Sequence, residues 1–260
     1  MKYRPEESFL QPIRPEDVPG LVCFWDFQQG GECFPTSQGY DYRLQSKTGA
    51  LECVEDATAP FDGKALRIGE GDWLNLPRAE CPELDFHGEQ SAFTLIAWLK
   101  RSRKSMRQCE FIAGQWNETH LGRQYGLFID IPVWGAEHRV FGHLSKTGGA
   151  TPGYQYCMDG PMSEEPVPWD EWCMIGMSYD GVQGFAWMNG MLQAIPGLNP
   201  YSLAGGLHHS GPLGSDFTVA AVDRSGEMGN FFCGLLSALA VYRQALSPAE
   251  VYGLSRCGNL

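Results

Sequence analysis

Long apolar runs are missing from this 260-residue chain. No stretch approaches the roughly 18 uncharged apolar residues of a membrane helix, and the opening MKYRPEESFLQPIRPEDVPG holds no apolar segment of signal-peptide length. No membrane span is expected, and no export signal is read. Basic residues are scarce, 19 Lys and Arg against 31 Asp and Glu, for a formal charge of −12. That balance argues against a nucleic-acid partner, which needs a basic face. No two of the nine cysteines stand in a C-x-x-C pair and none has zinc-finger spacing. Their odd number leaves at least one unpaired. Helical periodicity is absent too: no window before Ser247 repeats its apolar residues every 3.6 positions.

What the chain does have is turns and short strands. Its 32 glycines and 17 prolines punctuate a sequence that is 43% hydrophobic, favouring many turns over long helices. Residues 1–19 read as an extended arm, broken by Pro5, Pro12, Pro15 and Pro19. From Gly20 to Leu260 strand signals recur: 21–27, 65–68, 73–76, 93–99, 111–116, 125–131, 139–144, 172–179, 184–188, 217–222 and 231–242. Asp180-Gly181 and Asn189-Gly190 predict two successive two-residue hairpins within 172–195. The chain ends on Ser247-Pro248-Ala249-Glu250, a capped helix start with Leu246 and Val251 placed as a hydrophobic staple. The architecture implied is all-β, an antiparallel two-sheet sandwich of about 12 strands with a short C-terminal helix. Cys23, Cys173 and Cys233 fall inside apolar strand patterns, as buried reduced thiols do, which favours a cytoplasmic compartment.

Five stretches in order resemble the laminin-G-like, concanavalin-A-like jelly roll superfamily of lectins and glucanases: LVCFWDFQQG (21–30), GKALRIGEGDWLNL (63–76), FTLIAWLKRS (93–102), WCMIGMSYDGVQGFAWMNGMLQ (172–193) and FFCGLLSALAVYRQALSPAEV (231–251). The resemblance implies a single jelly roll over residues 20–260, with Trp98 and Trp172 as core landmarks and a concave sheet open to carbohydrate. It also implies an extracellular setting, against the reading from the cysteines. Many members hold a Ca²⁺ ion near the first and last strands, using an Asp where this chain has Ser237. Losing that hard anion weakens the case for structural calcium, with Asp26, Asp62 and Asp72 as the remaining ligand candidates. No other cofactor is expected.

Catalytic patterns of this fold are not evident. Glycosidases carry carboxylates at alternate positions of one strand, so that both acids share a face; Glu70 and Asp72 have the spacing but lie in a turn. Gln115–Tyr125 contains the Tyr, His, Arg and Gln types of a lyase without its signature. Five cations in Lys100–Arg107 read as a solvated loop or a landing site for an acidic glycan. His208-His209 sits in a loop, and adjacent histidines point to different sides of an extended chain, so a rim contact is expected rather than a shared metal.

The long Gly/Pro-rich segment 142–172 carries aromatic residues beside small polar ones, which suits sugars: a ring stacks on the pyranose face while polar groups take its hydroxyls. The expected ligand-binding residues are Trp116, Asn117, Trp134, Tyr154, Tyr156, Trp169, His208 and His209. The function expected is non-catalytic carbohydrate binding through aromatic loops and the concave sheet. The alternatives are a polysaccharide-acting glycosidase or lyase of the same fold, and a structural protein-interaction domain.

Overall fold

The computed structural model describes residues 11–132 and 134–257, so the first ten residues of the expected arm lie outside it. Its 20 strands form two large antiparallel sheets and one small hairpin, and the one α-helix among the described residues is Pro248–Ser255. The first sheet runs in the order Met191–Leu192, Gln183–Met188, Trp172–Tyr179, Phe93–Arg101, Gly234–Tyr242, Leu21–Trp25, Gln38–Gly39. The second runs Met162–Pro166, Ala136–Leu144, Arg123–Ile131, Glu110–Trp116, Phe217–Val219, Leu74–Leu76, Arg43–Ser46, Cys33–Pro35.

Alternation builds the layers. Leu95, Ala97 and Leu99 face the second sheet across the inter-sheet core, where they join Ile112, Tyr125, Leu127, Ile129 and Val140. Their neighbours Ile96 and Trp98 face outward, where Leu246, Val251 and Leu254 cover them. Trp98 is thus fully buried, but beneath the helix layer rather than between the sheets. The helix starts on the expected capping box: Ser247 Oγ accepts from Glu250 N, and the Glu250 carboxylate accepts from Ser247 N at 2.7 Å.

The last strand lies between Leu21–Trp25 and Phe93–Arg101, in the interior of its sheet. Its pairing slips between Leu236 and Ala238, which leaves Ser237 as the extra residue of a β-bulge. The slip returns Leu239 to the core face that Leu236 also occupies. Buried Ser237 donates to Lys64 O at 3.0 Å and accepts from Phe61 N at 3.4 Å.

The strands beyond the expected 12 are mostly short segments without alternation, such as Gln38–Gly39, Tyr201–Ser202 and Met162–Pro166. The expected strand 21–27 stops at Trp25, and Phe27 turns off it at φ 46°. The run 217–222 breaks at Ala220, φ 69°, and Val222–Arg224 pairs instead with Glu227–Gly229. Asn189-Gly190 forms the expected tip. The other tip is one residue later than Asp180-Gly181: Asp180 N bonds Gln183 O, leaving Gly181-Val182 between them. Asp180 Oδ1 accepts from the Val182 and Gln183 amides, so the aspartate braces the turn from its base.

Candidate functional site: an aromatic groove on the outer face of the second sheet

Residues that alternate with the core positions of the second sheet make a separate apolar surface on its outer face. Phe111, Trp116, Phe128 and Phe141 pack there, apart from the inter-sheet core. His143 closes the cluster, stacked on Trp116 at 4.9 Å between centroids and edge-on to Phe128 at 5.0 Å. Above this floor two adjoining recesses of about 650 and 460 Å³ share Arg107, Gln108, Cys109 and Pro132.

The 460 Å³ recess is floored by Trp116, Phe128 and His143 and flanked by Arg107, Arg123, Arg224 and Glu118. Burial pushes the Glu118 carboxyl above its ordinary value, while Arg123 and Arg224 pull it back. Three arginines against one glutamate make this a locally positive surface on an acidic protein. Tyr156 stands at the margin, 59% exposed, with Trp134 and Tyr154 at 45% and 50%. Trp134 meets Tyr154 edge-on at 6.2 Å, and its Nε1 donates to Met158 O at 3.0 Å.

The loop that carries these tyrosines is tied down from within. Thr151 Oγ1 donates to Asp159 Oδ2 at 2.6 Å and accepts from Met158 N, and Tyr201 donates to Asp159 Oδ1 at 2.7 Å. Buried Gly148 lets the loop pass close to its neighbours: a Cβ there would stand 2.2 Å from Leu121 O and 2.5 Å from the His208 ring.

The 650 Å³ recess contains Trp169, whose ring lies under the Arg101 guanidinium at 3.5 Å, with Arg103 at 5.2 Å. Arg101 itself is fully buried, held by both oxygens of fully buried Glu110 and within 3.5 Å of Asp130. The Glu110 carboxyl, raised by burial and lowered by Arg101, is engaged in this fork. The basic run is thus only partly a solvated loop, with Arg103 and Arg107 exposed and Arg101 buried. Lys100 pairs with Asp56 at 3.0 Å, and Lys104 donates to Cys109 O and Phe231 O, while Arg103 and Arg107 reach the recesses.

The expected residues divide accordingly. Trp116, Trp134, Tyr154, Tyr156 and Trp169 lie in or beside the groove, although Trp116 is buried beneath it at 2% exposure. Asn117 stands apart, bridged to Asp223 and bonding Thr119 through its own Oδ1. His208 packs against Gly148, and His209 stacks on His87 at 3.8 Å. Trp172 is half-buried and tethered to Asp56 through Nε1 at 3.2 Å, rather than a core landmark. The residue types noted in Gln115–Tyr125 do not gather: Tyr125 points into the inter-sheet core and donates to Leu84 O, while His120 is exposed in a loop. Sequence reading missed His143, Arg123 and Arg224 as groove residues. Arg123 and His143 sit on paired strands of the second sheet, and Arg224 on the small hairpin that the Asn117–Asp223 bridge ties to it.

Two of the candidate calcium ligands, Asp72 and Asp26, serve other bonds, Asp26 Oδ1 accepting from Gln28 N at 3.4 Å. Asp72 accepts from Gly69 N and Thr48 Oγ1. Gln28 donates its side-chain amide to Asp26 O at 2.8 Å and Phe61 O at 3.0 Å, beside the Ser237 bonds to Phe61 and Lys64. Amide and hydroxyl donors here join the carbonyl-lined segments that a cation would join.

No family model and no curated protein sequence matches the chain. Solved structures do. The binding domain of Paraclostridial Mosquitocidal Protein 1 is similar over 93% of this chain and 52% of its own, at TM-score 0.61 and 14% identity. Trypanosoma rangeli sialidase in complex with sialic acid is similar over 95% of this chain and 35% of its own, at TM-score 0.59 and 15% identity. The botulinum neurotoxin serotype G binding domain follows, over 90% of this chain and 50% of its own, at TM-score 0.54 and 9% identity. This chain spans about half or less of each of these structures. At such identities the likeness is one of fold, a two-sheet β-sandwich.

Proposed function

We propose that this chain is a laminin-G-like jelly roll, one domain from residue 20 onward, and that its groove binds carbohydrate without catalysis. One observation carries the reading: three exposed rings, Trp134, Tyr154 and Tyr156, stand beside an aromatic-floored recess that also presents Arg107, Arg123 and Arg224. Rings supply stacking area for a pyranose face, and guanidinium groups donate fixed pairs of hydrogen bonds to carboxylate or sulfate. Glycans carrying an acidic group should therefore bind better than neutral ones. The structural neighbours add support, since two are binding domains and one holds sialic acid. The bidentate hold of Arg101 on Glu110 weighs against that carboxyl in a hydrolytic role, which requires one free to exchange its proton.

Glycan-array screening followed by calorimetry tests this. Acidic oligosaccharides should be retained, and Tyr156→Ala and Arg224→Ala should each weaken them at least about tenfold, roughly 1.4 kcal/mol. No retained glycan, or wild-type affinity in both variants, overturns the reading.

A further inference from the structure

His209 has a neighbourhood the sequence conceals. The segment after Leu84 and the loop 204–216 are joined by a backbone bridge, Gly88 N to Leu207 O at 2.8 Å and Leu207 N to Gly88 O at 3.4 Å. The bridge sets His87 and His209 side by side, with rings 3.8 Å apart and Asp85 beneath both. One ligand atom from each of Asp85, His87 and His209 lies within 4.8 Å of the others, and no other group of three or more such residues is found among the described residues.

The surroundings orient each donor. Asp85 Oδ1 accepts from Gln124 Nε2 at 2.9 Å and from Arg78, which is itself bonded to Gln115, Gln124 and Ser215 O. The carboxylate is thus fixed by a mostly buried polar set, with Oδ2 facing His209 Nε2 at 3.9 Å. His87 Nδ1 lies 2.9 Å from Asp85 O, so it carries the proton of that bond and leaves Nε2 with its lone pair. A carbonyl behind His87 and a hydrogen-bonded Asp85 carboxylate match the way ligands are oriented at metal sites.

We propose that Asp85, His87 and His209 form a divalent transition-metal site, with two nitrogen ligands and one oxygen ligand suited to Zn²⁺. Cis ligand atoms around Zn²⁺ stand about 3.3 Å apart for bonds near 2.0–2.1 Å, so the observed spacing needs only a side-chain adjustment. Near-parallel rings 3.8 Å apart aim their lone pairs along planes that do not meet, so the stack must open, and His209, 57% exposed, is the ring free to turn toward Asp85. Three protein ligands leave a coordination position for water or an outside donor.

Titration of the chelator-treated, fully reduced protein with ZnCl₂, followed by calorimetry, tests the site. One equivalent should bind, and His87→Ala and His209→Ala should each weaken it by at least about tenfold. Both side chains are more than a third exposed, so these variants should keep the wild-type melting temperature. CoCl₂ should give a visible spectrum without thiolate charge transfer. Three outcomes each overturn the proposal: no binding up to millimolar Zn²⁺, unchanged binding in either variant, or a cobalt spectrum of cysteine ligation. Arg224→Ala, which removes a groove residue, should leave Zn²⁺ binding intact.

Discussion

The indole of Trp116 and the imidazole of His143 lie face to face, 4.9 Å apart and 25° from parallel, on adjacent regions of one outer sheet face. That stack forms the floor of the groove, and burial keeps its histidine neutral. Burial lowers the His143 pKa to about 3, with Arg123 acting in the same direction and the Asp159 carbonyl opposing it.

The sign of the resulting pH dependence follows. The unfolded imidazole binds its proton near pH 6.5, whereas the folded one resists protonation to about pH 3. Stability from this group is complete above the unfolded value and is lost as pH falls from there toward 3, by at most about 1.4 kcal/mol per pH unit. In thermal melts between pH 7 and 4, wild type should lose stability relative to His143→Phe as pH falls. Parallel profiles would refute this account.

Arg101 and Glu110 supply a second prediction. Both are fully buried, so Glu110→Gln leaves an under-paired guanidinium in the interior and should cost about 3–5 kcal/mol in urea unfolding. The double replacement Arg101→Met with Glu110→Leu should cost less than the single one, because the fully buried guanidinium is removed along with its partner. Trp169→Ala, which removes the ring beneath Arg101, should cost about 1–2 kcal/mol. A double variant weaker than the single would show that the pair itself is the source of stability.

The fold was legible where burial writes a pattern over many residues. Phe93–Arg101 and Trp172–Tyr179 alternate between two different apolar layers, and the Ser247 capping box is local chemistry in four residues. Strands of two or three residues such as Gln38–Gly39 have no pattern to read, because their partners create them. The groove divides the same way. Exposed Tyr154 and Tyr156 stood out in a Gly/Pro-rich loop, yet His143 looked like one more residue of an apolar strand. Arg101 read as a solvated charge because its partner Glu110 sits across a turn and faces inward.

Ser237 and Gln28 predict the response to calcium. Their donors already occupy the carbonyls of Lys64, Asp26 and Phe61, so millimolar Ca²⁺ added to the chelator-treated protein should leave the melting temperature unchanged. Ser237→Ala strands the Lys64 carbonyl and should cost about 1 kcal/mol. A calcium-dependent rise in melting temperature would contradict this assignment.

Gly148 tests whether loop position matters to ligand capture. At φ 76° and with no room for a methyl group, Gly148→Ala should displace the loop that holds Tyr154 and Tyr156. Glycan affinity should fall while the bulk of the melting transition persists; unaltered affinity would separate the loop from the binding surface.

The placement of Gly234–Tyr242 between Leu21–Trp25 and Phe93–Arg101 bears on how the chain is made. A ribosome delivers the flanking strands first and the strand that joins them more than 130 residues after Phe93–Arg101. Until then Ile96 and Trp98 lack the Ala238, Ala240 and Leu254 that cover them. The nascent protein must wait, half-sheeted, through most of its synthesis, and helper proteins that shield exposed strand edges would find their clearest target in that interval.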